Sequence, residues 1–230
     1  MFLLFCLFPL HSHASENRIA EAGRKLVAAY PDYLDEVRGN NLVWKDGTEM
    51  PLDDGKPEKE FQELIVAPHL EDMFAMPYPR GLPSAPPINQ DPGRVRFQPF
   101  FEKMYGNCRE KTNKRNIVSV RWLKNKGGGT LQLSRLNDVA KKVLAVSEEL
   151  DQLPSSYDHY LLPTEGGYYC RTIKGTKRLS PHSYGIAIDI GVDKSHYWRW
   201  QTSSGSSSNV WHSHVPYEII KIFEKHGFIW

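Results

Sequence analysis

Arg178-Leu-Ser-Pro-His182-Ser-Tyr-Gly-Ile-Ala-Ile-Asp189 places an imidazole and a carboxylate around a segment that is otherwise small and apolar. In an extended conformation Ile186, Ile188 and Ile190 share one face, which leaves Gly185, Ala187 and Asp189 on the other as the floor of a site. An ionised aspartate on a buried strand needs a partner. A divalent metal shared with His182 is one such partner, and a local hydrogen bond between the two side chains is the other. No H-E-x-x-H or C-x-x-C spacing in the chain selects the metal by itself.

On the N-terminal side lies Gly166-Gly167-Tyr-Tyr-Cys170-Arg171-Thr-Ile-Lys-Gly175-Thr176. On the C-terminal side lie Tyr197-Trp198-x-Trp200 and Val215-Pro216-Tyr-Glu-Ile-Ile-Lys-Ile-Phe-Glu-Lys-His226-Gly227-Phe228-Ile-Trp230. In this setting Ser180-x-His182-x-x-Gly185-x-Ala187-x-Asp189 resembles the metal-binding motif of the zinc D-alanyl-D-alanine carboxypeptidases and L-alanyl-D-glutamate endopeptidases of bacterial cell walls. The resemblance covers residues 160 to 230. It implies the α+β fold shared by these peptidases and the Hedgehog signalling domain, a small antiparallel sheet with flanking helices. It implies Zn2+ held by His182 and Asp189, a peptidoglycan stem peptide as substrate, and Arg171 as the group that grips a substrate carboxylate.

Guanidinium pairs with carboxylate bidentately, which suits that role; a sheet-edge ion pair is the plainer use of Arg171. Ser180 either orients His182 beside the substrate or caps the turn. The family's last zinc-binding histidine and its general-base glutamate have no matching positions, so the resemblance implies a C-terminally truncated chain of impaired activity. The alternative is a non-catalytic domain that binds peptidoglycan peptides. His212, His214 and His226 read as loop or helix-end histidines rather than replacements, because a cation at a helix C-terminus is favoured by the dipole.

The 230 residues carry 29 Lys and Arg against 27 Asp and Glu, a formal net charge of +2, with 40% hydrophobic residues. These proportions describe an ordinary globular protein and give no general case for nucleic-acid binding. The basic run from Arg109 to Arg121 reads as a solvated face or as a contact for an anionic polymer. Met1 to Leu10 is apolar but too short to span a bilayer, and Ser12-His13-Ala14 resembles a cleavage site. Residues 1–14 are therefore expected to be a signal peptide, with a strand or buried helix as the alternative, and the mature protein to be periplasmic or secreted without stable membrane insertion. Cleavage after Ala14 leaves Cys108 and Cys170, either as one disulfide or as two buried thiols. Oligomeric state is not legible.

Residues 15–96 are expected to form an N-terminal arm and residues 97–230 the peptidase-like domain. In the arm, Ile19, Ala22, Leu26 and Ala29 or Tyr30 recur at helical spacing, a pattern that Asp32 to Val37 is expected to extend or repeat after the Pro31 break. Asp46-Gly47 marks a hairpin between Leu42-Val43-Trp44 and Met50-Pro-Leu52. Residues 61 to 99 are rich in proline and are expected to be an extended surface connection without regular helix. In the domain, Asn116–Leu123 and Thr130–Leu133 are expected to pair across Lys126-Gly-Gly-Gly129. A helix follows from Asn137, its N-cap, to Leu150, burying Val139, Val143, Leu144, Val146 and Leu150. Pro216 begins and Gly227 ends the last helix, and Phe228-Ile-Trp230 is expected to start a strand.

Overall fold

A computed structural model describes residues 11–56, 59–81, 89–191 and 214–230. The chain folds as two compact units, Met1–Pro77 with Arg94–Phe97, and Tyr78–Gly93 with Gln98–Trp230. Together they are mixed α+β, with small antiparallel sheets and flanking helices. No described helix is long and apolar enough to cross a membrane.

In the first unit, α1 (His11–Ala29) lies against β1 (Leu34–Arg38), which pairs with β2 (Asn41–Trp44) and through it with β3 (Glu49–Pro51). The hairpin read around Asp46-Gly47 is present, with Leu42 opposite Met50. Asp32 to Val37 does not continue the helix. After Pro31 the chain turns, and Leu34 enters a strand because its buried side chain and its ladder with Trp44 offer more than an isolated helical turn. Gly23 permits the close packing of α1: a Cβ there would stand 2.7 Å from Cγ2 of Val37.

The segment after residue 60 is also more regular than its prolines suggest. No proline falls between Phe61 and Val66, and α2 (Phe61–Val66) forms there, burying Leu64 and Ile65 against Val95. A 3-10 turn follows at Glu71–Phe74. Around it sits a buried charge cluster. The Lys59 ammonium pairs with Asp72 and, at 3.0 Å, with Asp54. His69 Nδ1 donates to the Leu52 carbonyl, 3.1 Å away, and lies 3.7 Å from Oε2 of Glu71. That oxygen is buried without a hydrogen-bond partner among the described residues.

In the second unit, α3 (Gln98–Tyr105) precedes the hairpin of β4 (Ile117–Arg121) and β5 (Thr130–Ser134), whose register runs from Ile117 opposite Ser134 to Arg121 opposite Thr130. Against it packs α4 (Val139–Leu150), burying Val139, Val143, Val146 and Leu150. Leu144, expected in that stripe, is 40% exposed. Nor does Asn137 cap the helix: it adopts φ 52°, with Asp138 also left-handed, and its amide instead donates to the Tyr105 hydroxyl at 3.0 Å.

The chain continues through α5 (Asp158–Leu161), β6 (Thr164–Gly166) and β7 (Asp189–Ile190), which pairs with β6, and then to α6 (Tyr217–Lys225). Ile219, Ile220 and Phe223 bury one face of α6, and Phe223 meets the ring of Trp122. The remaining buried residue, Glu224, accepts from the Tyr78 hydroxyl at 2.7 Å and from the Gly81 amide. Burial and this carboxylate push the Tyr78 phenol up to about 12. Gly227, at φ 84°, closes α6 as expected, but Phe228-Ile-Trp230 is not a strand. The Phe228 amide turns back to the Phe223 carbonyl, and the Trp230 amide bonds the Tyr78 hydroxyl.

Burial, followed by the charge of Asp72, raises the Glu71 carboxyl to about 7. Its proton is kept on folding but lost from the unfolded chain near pH 4.5, so stability falls as pH rises from about 4.5 to about 7 and then levels. Glu71→Gln is expected to leave stability at pH 4 unchanged and to raise it at pH 8, by at most about 3 kcal/mol for a shift of this size. Urea unfolding at the two pH values tests this; an equal effect at both would exclude it.

Candidate active site

The free edge of β5 builds the site. The Gln132 carbonyl accepts from the Tyr168 amide at 2.7 Å, and the Ser134 amide donates to the Gly185 carbonyl at 2.9 Å. Two segments distant in sequence, 167–171 and 180–185, are thereby laid along one strand. Both approaches need glycine. A Cβ on Gly167 would collide with the Gln132 carbonyl, and one on Gly185, at φ 69°, would stand 2.7 Å from the Ser134 nitrogen.

His182 is on a 3-10 turn, Pro181–Tyr184, rather than beside the long strand that the isoleucine alternation suggested. Gly185 ends this turn in the left-handed region, and β7 is confined to Asp189–Ile190. Ile190 is buried, whereas Ile186 and Ile188 are only half-buried, so the two-faced pattern is not realised. The ring of Tyr184 anchors the turn, packing near Phe101 and Tyr105.

The structure brings His182 and Asp189 together: Nε2 stands 3.2 Å from Oδ2. The other ring nitrogen, Nδ1, donates to the Gly167 carbonyl at 2.7 Å, which fixes the ring plane and leaves Nε2 as the atom facing the carboxylate. Burial works against a charged imidazole, but the Asp189 hydrogen bond and the Gly167 carbonyl outweigh it and raise His182 above its ordinary value. The same hydrogen bond, opposed by burial, holds Asp189 below the usual carboxylate range. Arg171, exposed nearby, contributes a positive field that disfavours the imidazolium and favours the carboxylate.

Arg171 is placed by its backbone. Its amide donates to the Ser183 hydroxyl at 2.9 Å, while its carbonyl accepts from that hydroxyl at 2.7 Å and from the Ser180 amide at 3.0 Å. Ser180 is buried, but its side chain makes no capping bond, so the capping role falls away. Ser183 does the bracing instead, and the Ser183 carbonyl is held by the fully buried Asn113 amide at 2.8 Å. Neither residue stood out in the sequence; a serine beside a candidate ligand and an asparagine in a polar loop carry no spacing signal. Cys108 and Cys170 form a disulfide with Cα atoms 5.7 Å apart, tying the Asn113 loop to the Arg171 segment.

Residues 174–230 match the family described as D-alanyl-D-alanine carboxypeptidase. The match spans about a quarter of the chain and includes His182, Asp189 and α6, while Arg171 falls three residues before it. No curated protein and no solved structure matches the chain. The carboxypeptidase resemblance read from the sequence is thus supported over its C-terminal part, and with it a peptidase relationship.

Other expected features fall elsewhere. Tyr197, Trp198, Trp200 and His212 lie outside the described residues. His214 is exposed, and His226 bonds Glu149 of α4 at 2.6 Å. Lys225 and His226 together hold the Glu149 carboxyl low. Among the described residues no group of three or more His, Cys, Asp or Glu stands together as a metal site.

Replacing Ser183 with Ala strands the Arg171 amide, while the Arg171 carbonyl keeps only its bond from the Ser180 amide. We expect a loss of about 1–3 kcal/mol, with hydrogen exchange at the Arg171 amide accelerated while β4 and β5 exchange as before. Replacing both Cys108 and Cys170 with Ser, 62 residues apart, is expected to cost about 4 kcal/mol on a loop-entropy basis. Denaturant titration under oxidising and reducing conditions measures it; identical curves for the double variant and the oxidised protein would contradict the linkage.

Proposed function

We propose that the protein is an exported, zinc-dependent peptidase acting on peptidoglycan stem peptides, of the D-alanyl-D-alanine carboxypeptidase type and with the Hedgehog-like peptidase fold in its residues 97–230. The observation that carries this reading is the pairing of His182 Nε2 with Asp189 inside the family-matched segment, with Nδ1 committed to a backbone carbonyl. Metal-binding histidines commonly donate their second ring nitrogen in this way, so the donor set suits zinc. Export, by cleavage after Ala14, is supported by the Cys108–Cys170 disulfide, a bond suited to an oxidising compartment.

In this reading His182 and Asp189 hold the cation. The chemistry it supplies when bound is Lewis-acid polarisation of an amide and acidification of water. The Gly167 carbonyl keeps the imidazole in the Nδ1–H tautomer, so that Nε2 presents its lone pair. Arg171, whose backbone is fixed by Ser183 while its guanidinium stays exposed, binds the carboxylate of the stem peptide, and buried Ser180 supports that rim through its amide. Three protein ligands are the norm for catalytic zinc, so a pair binds weakly unless a third joins it.

The alternative, a non-catalytic peptidoglycan-peptide binding domain, is favoured by one observation. The His182–Asp189 ion pair satisfies both groups without a cation. Zinc titration of the purified chain, of His182→Ala and of Asp189→Ala separates the two readings. The peptidase reading expects a third ligand of this chain to complete the site, giving stoichiometric zinc in the parent chain, its loss in both variants, and hydrolysis of a D-Ala-D-Ala-ended peptide that zinc chelation abolishes. Arg171→Ala should weaken binding of that peptide by about 1.5–3 kcal/mol, the value of a charge-assisted hydrogen bond. A folded chain that takes no zinc yet binds the peptide through Arg171 would establish the non-catalytic reading.

A further inference from the structure

The basic run that begins at Arg109 is isolated in sequence but not in the fold. The Cys108–Cys170 disulfide and a hydrogen bond from the Arg109 guanidinium to the Lys177 carbonyl, 3.3 Å, join its loop to the turn at 171–179. That turn is an antiparallel bend closed by the Thr172–Leu179 bridge and by Ile173 N to Arg178 O, with Lys174 and Gly175 at its tip. Arg109, Lys111, Lys114 and Arg115 on one loop, and Arg171, Lys174 and Lys177 on the other, are all exposed.

The two loops carry far more cations than anions. Across residues 108–115 and 170–178 the only acidic residue is Glu110, against eight Lys and Arg once half-buried Arg178 is counted. With 29 basic and 27 acidic residues in all, the remainder of the chain is net negative, so the small overall charge of +2 conceals a strong segregation. Among the described residues none of the seven exposed cations is in an ion pair with a carboxylate. The Arg109 guanidinium bonds a neutral carbonyl, which leaves its charge in place.

Holding like charges on two loops in proximity costs energy, and here the proximity is enforced covalently. Solvated lysines on loop tips gain little from any single anion, because each contact is screened and entropically costly. They gain from a ligand that presents many anions in a row, where each further contact is effectively intramolecular.

We propose that these two disulfide-joined loops form a binding surface for a linear, base-free polyanion carrying phosphodiester or carboxylate groups. Arg171 is the residue it shares with the candidate active site, so a bound chain would run along the rim of that site. The surface stands on charge placement alone and does not depend on zinc or on peptide hydrolysis.

The test is binding of fluorescent long-chain polyphosphate and of polygalacturonate to the full, oxidised chain across a salt series. Both probes are used so that preference for one identifies the anion as phosphate or carboxylate. Affinity should fall steeply with salt. Lys111→Glu/Lys114→Glu and Lys174→Glu/Lys177→Glu should each weaken binding at low salt about tenfold or more and reduce the salt slope by about one for each contact removed. Lys141→Glu/Lys142→Glu, exposed on α4, should bind like the parent chain. Absence of binding to either probe, parent-like binding by both loop variants, or an equal loss in the α4 variant would overturn the proposal. Tighter binding of a single-stranded oligonucleotide of equal charge would overturn it in favour of nucleic acid. An inactive peptidase that still binds the probes, or an active one that does not, separates this inference from the catalytic reading.

Discussion

The hydrogen bond from His182 Nδ1 to the Gly167 carbonyl is the constraint on which the site depends. It commits one face of an otherwise ambivalent ring and directs Nε2 at Asp189. The carbonyl is in position only because Gly167 lies against the Gln132 backbone, where no larger residue fits, and because Tyr168 then pairs with the same strand. The orientation of an imidazole is thus inherited from the edge of a two-stranded hairpin.

A second layer of polar contacts makes that orientation rigid. Ser183 exchanges hydrogen bonds with both backbone groups of Arg171, Asn113 holds the Ser183 carbonyl, and the disulfide binds the loop of Asn113 to the segment of Arg171. Each of these groups is satisfied by another, which is what allows polar side chains such as Asn113 and Ser183 to be fully buried. The result is a positive field from Arg171 over a half-buried His–Asp pair, with further cations arrayed on the loops beyond it.

The first unit solves a different electrostatic problem. Lys59 is buried among Asp54 and Asp72, whose combined hydrogen bonds overcome the burial penalty and raise its affinity for a proton. Among the described residues Glu71 receives no comparable partner, and its carboxyl is displaced toward neutrality. Two carboxylates adjacent in sequence therefore differ in their partners, Asp72 meeting the ammonium and Glu71 facing the carbonyl-bound edge of His69.

The sequence by itself determined the elements whose evidence is local. Helical spacing gave α1, the Asp46-Gly47 turn gave the β2–β3 hairpin, glycines 127–129 gave β4–β5, and Pro216 with Gly227 bounded α6. His182, Asp189 and Arg171 were also legible, because a motif records residue types at fixed separation. Tertiary structure decided what depends on neighbours far along the chain. It set Leu34 to Val37 as strand rather than helix, turned Asn137 from a cap into a partner of Tyr105, and shortened the isoleucine strand at Gly185. It also chose a disulfide over two thiols, gave Ser183 and Asn113 their bracing roles, and merged two basic loops into one surface. The physical reason is the range of the forces involved. Backbone preference and amphipathic spacing act over a few residues and are written consecutively, whereas a hydrogen bond from Asn113 to Ser183 or a summed charge across 60 residues exists only after the chain has closed on itself.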